Sequence, residues 1–172
     1  MLTPAHIGAS YLLSQVPSLA GHSLSTQEVL AVVIVGNIVD LDFMWGILKK
    51  KKGDDHHNFV THTPIFVITA WLLLFLLFNN VFNLMTWVMI LISGLLHLVL
   101  DDVGYWFCRL GWQKISKYPQ INWFYPLTRF KKRAYEGTNA HLLKDYFTKA
   151  KVSVALEVVF IFAALVVFLV RS

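Results

Sequence analysis

Hydrophobic side chains fill the chain in long blocks separated by short polar clusters, and the block lengths are those of membrane helices. Residues 81–100 and 152–170 approach the ~20 apolar residues that cross a hydrocarbon core. Residues 65–78 are shorter, but a helix from Pro64 to near Asn80 has about 17 residues, the lower limit for a span. Residues 28–48 form a fourth candidate, apolar except for Asn37, Asp40 and Asp42. Residues 5–20 are apolar but short and carry His6 and Pro17; they are expected to dip in as one arm of a hairpin with the next helix. The pattern predicts an all-α, polytopic membrane protein with about four or five membrane helices.

Composition agrees with that class: of 172 residues 56% are hydrophobic and 15% charged, and the mean hydropathy is +0.58. One integral-membrane domain, 1–172, is expected. It divides into an N-terminal hairpin (2–48), a central helix pair (64–104), an interfacial segment (105–151) and a last helix (152–170). No repeat, low-complexity stretch or separate soluble domain is visible. The N-terminus lacks a basic n-region, so the first helix is expected to be retained.

Charge sets the expected orientation. Of 15 Lys and Arg, four are the lysines at 49–52 and ten lie in 109–151. Both segments should face the cytoplasm, which puts the loop at 79–83 outside. Between 105 and 151, Trp106, Trp112, Trp123, Phe124 and Tyr125 alternate with basic residues, a composition suited to headgroups and anionic lipid. Lipid is favoured over nucleic acid as the partner of that surface, which could roof a site and steer an anionic substrate. The pI of 9.4 thus reports topology. The single cysteine, Cys108, excludes an intrachain disulfide and has no evident histidine partner.

Six of the ten acids form three close pairs, Asp40 with Asp42, Asp54 with Asp55, and Asp101 with Asp102, each at an expected cytoplasmic membrane edge. His6, His56, His57, His62 and His97 share that depth. Unpaired ionisable groups there are rare and costly. In the stretch "HLVLD", His97 and Asp101 are four apart on one helix face, close enough to hold one ion, although the same spacing serves a simple hydrogen bond. Asp102, one residue round, ranks below Asp101. Asp40 and Asp42 would point nearly opposite ways in a regular helix, so one could ligate while the other bridges, orients or caps. Thr63-Pro64 and Thr3-Pro4 each fit an N-cap and first helical residue, which brings two helix starts, favourable to an anion, to the same edge. His22 and His141 are read as interfacial hydrogen-bonding residues, His56 as either solvent-facing or supporting, and Glu157 at most as a supporting group.

"AHIGAS" near the start, "VDLD" with Asp40 and Asp42, "HNFVTHT" from His57 to Thr63, and "LHLVLDD" around His97 and Asp101 occur in an order that resembles the YdjM-like inner-membrane proteins. "NWFYPL", at 122–127, resembles the Trp-Pro or Tyr-Pro element of that family, and the likeness covers about residues 4 to 127. Val39 stands where the family has proline, Asn58 and Phe59 where it has Arg-Gly, and "DVGYWF" where a Thr-Pro element is usual. The resemblance implies an inner-membrane, metal-dependent hydrolase. A more distant similarity to zinc-dependent phospholipases C and nucleases points to phosphoesters.

On that footing the expected ligands of a divalent metal are His6, Asp40, His57, His62, His97 and Asp101, with Asp42, His57 and His62 as candidates for catalytic proton transfer. Imidazole and carboxylate suit zinc first, with manganese or iron as alternatives. The expected reaction is hydrolysis by metal-activated water, on a lipid-linked or other anionic phosphoester, at a site facing the cytoplasm. Two readings compete: a metal-ion or proton transporter using the same residues, and a non-catalytic membrane protein with a structural metal. Grouping of the donors at one membrane edge favours the enzyme over the transporter.

Overall fold

The structure, a computed structural model, describes residues 3–40, 60–113, 121–128, 144 and 146–171. Those residues are helical or lie in turns and connections: α1 (Thr3–Ser14), α2 (Val16–Leu19), α3 (Thr26–Gly36), a 3-10 turn (Ile38–Asp40), a second 3-10 turn (Val60–His62), α4 (Pro64–Phe78), α5 (Leu84–Arg109) and α6 (Lys151–Arg171). The fold is all-α, and α5 and α6 are long and apolar enough to cross a membrane.

Local chemistry explains where the helices stop. α1 gives way at Ser14 to a short separate turn containing Pro17, which cannot donate to a preceding carbonyl. Ser25 and Glu28 form a reciprocal capping box that starts α3. Thr63 caps α4 by accepting from the Phe66 N–H, with Pro64 at the first helical position, as the Thr-Pro pattern led us to expect. Asn83 caps α5 through the Thr86 N–H.

Two boundaries differ from the hydropathy blocks. α5 continues through Asp101 and Asp102 to Arg109, because both acids are buried against protein rather than left at a solvated end. α3 stops at Gly36, so Asp40 lies on a 3-10 turn and not on the helix; Asn37 bonds back to the Val33 carbonyl at 2.7 Å and turns its other amide atom elsewhere. Residues 41–48 of that candidate span lie outside the described residues.

α1, α3 and α5 pack mutually, with α6 laid on α1 and α4 on α5. Small residues allow the close approaches. A Cβ on Gly36 would fall 2.0 Å from Ser93 Oγ, one on Gly94 2.9 Å from Val67 Cγ1, and one on Gly8 3.0 Å from the Phe160 carbonyl oxygen. Val32, Trp87, Met89 and Ile90 form an apolar core at one end of the bundle, and Val39, Val67, Leu98 and Ile121 a second core at the other. The outer faces of α4 and α6 expose Leu72, Leu73, Leu76, Phe162, Leu165 and Phe168, the aliphatic and aromatic surface expected against lipid.

Candidate metal centre

Four segments deliver five ionisable side chains to one place beside the second core. α1 supplies His6, the first 3-10 turn Asp40, the second 3-10 turn His62, and one face of α5 both His97 and Asp101. His97 Nε2 lies 3.3 Å from Asp40 Oδ1 and 3.4 Å from Asp101 Oδ2. His62 Nε2 lies 3.9 Å and 3.8 Å from the same two oxygens. His6 Nε2 approaches the other oxygen of Asp101, Oδ1, at 3.1 Å, and its ring stacks on His97 with centroids 4.1 Å apart.

These donors form two overlapping sets able to hold a cation, His6 with His97 and Asp101, and Asp40 with His62 and His97. Spacing supports that use: tetrahedral donors ~2.0–2.1 Å from one ion are about 3.4 Å from each other. The side chains of His6, His62, His97 and Asp101 are essentially inaccessible, whereas Asp40 retains 18% exposure and forms the open edge of the group. Neither ring nitrogen of His6 and not Nε2 of His97 makes a hydrogen bond of acceptable geometry among the described residues. Buried imidazole nitrogens within ion-pair distance of two carboxylates are a donor set that suits a divalent cation.

The proton positions on His97 can be deduced. The Asn37 amide nitrogen donates to the Val33 carbonyl at 2.7 Å, an atom that only accepts, and to Ser10 Oγ at 2.9 Å. That fixes Asn37 Oδ1 toward His97 Nδ1, 3.1 Å away, so Nδ1 carries the proton. A neutral His97 then turns the lone pair of Nε2 toward Asp40 and Asp101. Ser93 Oγ donates to Ser10 Oγ at 2.8 Å, extending the support from α5 back to α1. Thr3 Oγ1 donates to Asp40 Oδ2 at 3.0 Å, leaving Oδ1 for the centre. Such outer partners orient ligands and set their basicity. Asn37 and Ser10 were not singled out in the sequence; a lone amide in an apolar helix three residues before an acid was the available signal for Asn37.

The neighbouring acid does different work. Asp102 is fully buried, and its two oxygens accept from the Ile121 N–H at 3.1 Å and from Trp123 Nε1 at 2.6 Å. It fastens the "NWFYPL" stretch to α5. Glu157, also buried, accepts from the Tyr146 hydroxyl, so it holds the chain before α6 against the bundle. Burial, then the Glu157 hydrogen bond and the nearby charge of Asp101, pushes the Tyr146 phenol above its ordinary value and keeps it a donor. Ser153 and Gln113 reinforce that junction, Ser153 Oγ donating to Gln113 Oε1 at 3.1 Å and Gln113 Nε2 to the Gly104 carbonyl at 2.7 Å.

His6, Asp40, His62, His97 and Asp101 therefore meet. Asp42, His57, Asp54, Asp55, His56 and His141 lie outside the described residues. No curated protein and no solved structure matches the chain. The family model described as "YdjM inner membrane protein" matches residues 1–172, so the chain belongs to that family of inner-membrane proteins.

Proposed function

We propose that the protein is a multi-pass inner-membrane hydrolase that uses a divalent metal and water to cleave phosphoesters, at a site facing the cytoplasm. The observation that carries this reading is the convergence of three imidazoles and two carboxylates, with His97 Nδ1 held by Asn37 Oδ1 and Nε2 facing both carboxylates. Asp40, His62, His97 and Asp101 are the ligands of one ion; His6, on the far oxygen of Asp101, serves a second ion or orients that carboxylate. Of Asp42, His57 and His62, the group that does not ligate the ion takes a proton from the attacking water, and the others complete or support the ligand set. A divalent cation held there, zinc ahead of manganese or iron, supplies Lewis acidity and makes water acidic enough to attack near neutral pH.

Two features support a phosphoester. α1 begins three residues before His6 and α4 two residues after His62, so two positive helix ends adjoin the centre. The basic segments at 49–52 and 109–151 favour an anionic substrate and, by the positive-inside rule, a cytoplasmic orientation. A transporter needs access to its donors from both faces, whereas here Asp40, the one described donor with appreciable exposure, forms a single open edge, and Asp101 lies in the second half of α5.

The test is turnover by the purified, metal-loaded full chain on a panel of phosphate monoesters and diesters, water-soluble and lipid. Hydrolysis that stops with chelator and in His97→Ala is expected. Metal-replete, folded protein that cleaves no member of either class would contradict the reading.

A further inference from the structure

The position of the centre along α5 gives its depth. The polar turn at 79–83 precedes Leu84, where Asn83 is tied to Glu28 at 2.6 Å, so the hydrocarbon begins close to Leu84 at that end. At ~1.5 Å per residue, His97 lies about 20 Å and Asp101 about 25 Å farther along the helix. A hydrocarbon core of ~30 Å then ends a few residues beyond Asp101.

An independent marker agrees. Trp106 and Trp112 are both more than half exposed at the end of the bundle that carries the site. Exposed aromatic residues of this kind mark the headgroup level. Trp106 is about 7–8 Å beyond Asp101 on α5.

The surface at the level of the site is itself aliphatic. Each element that contributes a donor also exposes an apolar side chain next to it: Ile7 beside His6, Ile38 near Asp40, Val60 and Ile65 around His62, and Val99 between His97 and Asp101, each exposed by 42–47%. These are lipid-facing positions, so the donors lie about 5–10 Å beneath the headgroups, within the leaflet.

We propose that the bond cleaved belongs to a membrane amphiphile, a phosphoester carried on a lipid chain whose linkage descends to the donors inside the leaflet, and not to a phosphoester dissolved in water. This rests on the hydrolase reading above and adds the substrate class to it. A soluble phosphate would have to shed its hydration to reach this depth, whereas an amphiphile already holds its linkage at the edge of the hydrocarbon. In the reaction the water oxygen bonds to phosphorus and the ester P–O bond breaks. The departing alkoxide oxygen takes one proton of the water, and the other stays on the phosphate product.

Depth and substrate are tested separately. The full chain, loaded with Mn²⁺ in nanodiscs of ¹³C-labelled dioleoylphosphatidylglycerol, is compared with His97→Ala/Asp101→Ala. Paramagnetic relaxation strongest at the ester carbonyl and first acyl carbons, and absent in the variant, is expected. Relaxation strongest at the glycerol headgroup carbons would overturn the depth argument while leaving a metal centre in place. Failure of the folded chain to bind Mn²⁺, Zn²⁺ or Fe²⁺ would remove the metal reading and this proposal with it. In mixed micelles, metal-dependent hydrolysis of dioleoyl phosphatidylglycerol or phosphatidic acid should follow the surface mole fraction of lipid and exceed that of bis-p-nitrophenyl phosphate or p-nitrophenyl phosphate at least 100-fold. Equal or faster turnover of the soluble esters would refute the lipid proposal and uphold the hydrolase.

Discussion

Asn37 Oδ1 faces His97 Nδ1 at 3.1 Å, and because the Asn37 nitrogen is committed to Val33 and Ser10, this contact fixes which nitrogen of His97 can bind a cation. Loss of such a partner lowers metal affinity about 10- to 100-fold in comparable centres. Asn37→Ala should show a drop of that size in a competition titration with a metal indicator. Asn37→Asp, which keeps an acceptor for Nδ1, should lose less.

Adjacent acids on α5 should separate cleanly. Asp101→Asn removes a donor from the centre and should abolish stoichiometric metal while leaving the 121–128 segment in place. Asp102→Ala should retain metal but lose its hydrogen bonds to Ile121 and Trp123, about 1.5–3 kcal/mol each for bonds to a charged group. Limited proteolysis at 121–128 and thermal unfolding in detergent, read beside metal content, distinguish the two.

Gly36 has no room for a methyl group, since its Cβ would lie 2.0 Å from Ser93 Oγ and 2.6 Å from Ser93 Cβ. Gly36→Ala should force α3 from α5 and destabilise by about 1–3 kcal/mol, the usual range for overpacking. Adding Ser93→Gly should recover part of the loss in a thermal melt, because it removes both clashing atoms.

Metal binding should depend on pH with a defined sign. Imidazole ligands bind in the neutral form, so cation binding displaces protons and affinity falls as pH drops through the ordinary imidazole range. Isothermal titration in buffers of different ionisation enthalpy should register proton release at mildly acidic pH; metal affinity independent of pH between 5 and 7.5, on the order of the imidazole range, would contradict ligation by these histidines.

Much of the site could be read in the sequence because its donors follow local rules. His97 and Asp101 share a helix face by spacing alone, and Thr63-Pro64 fixes the start of α4 and so the place of His62. Hydropathy likewise found the cores of α4, α5 and α6. It could not find the end of α3, because Asn37 breaks the helix through contacts made with Ser10 and His97, residues 27 and 60 positions away. Helix spacing ranks Asp101 above Asp102, but it could not show what Asp102 meets, the Ile121 N–H and the Trp123 indole, which the folded path of residues 121–128 brings to it. Thr3 is expected to cap α1; instead it is the first residue of that helix and its hydroxyl donates to Asp40, a contact that depends on the folded path of the chain.

The most direct test of the central claim is metal content per chain, by elemental mass spectrometry on full-length protein purified in detergent without chelator, with His97→Ala/Asp101→Ala alongside. One or two equivalents of zinc, manganese or iron, lost in the folded variant, is the result the arrangement of His6, Asp40, His62, His97 and Asp101 leads us to expect. A folded wild type that carries no metal and takes up none on reconstitution would contradict it, and the same residues would then be read as a proton or ion path.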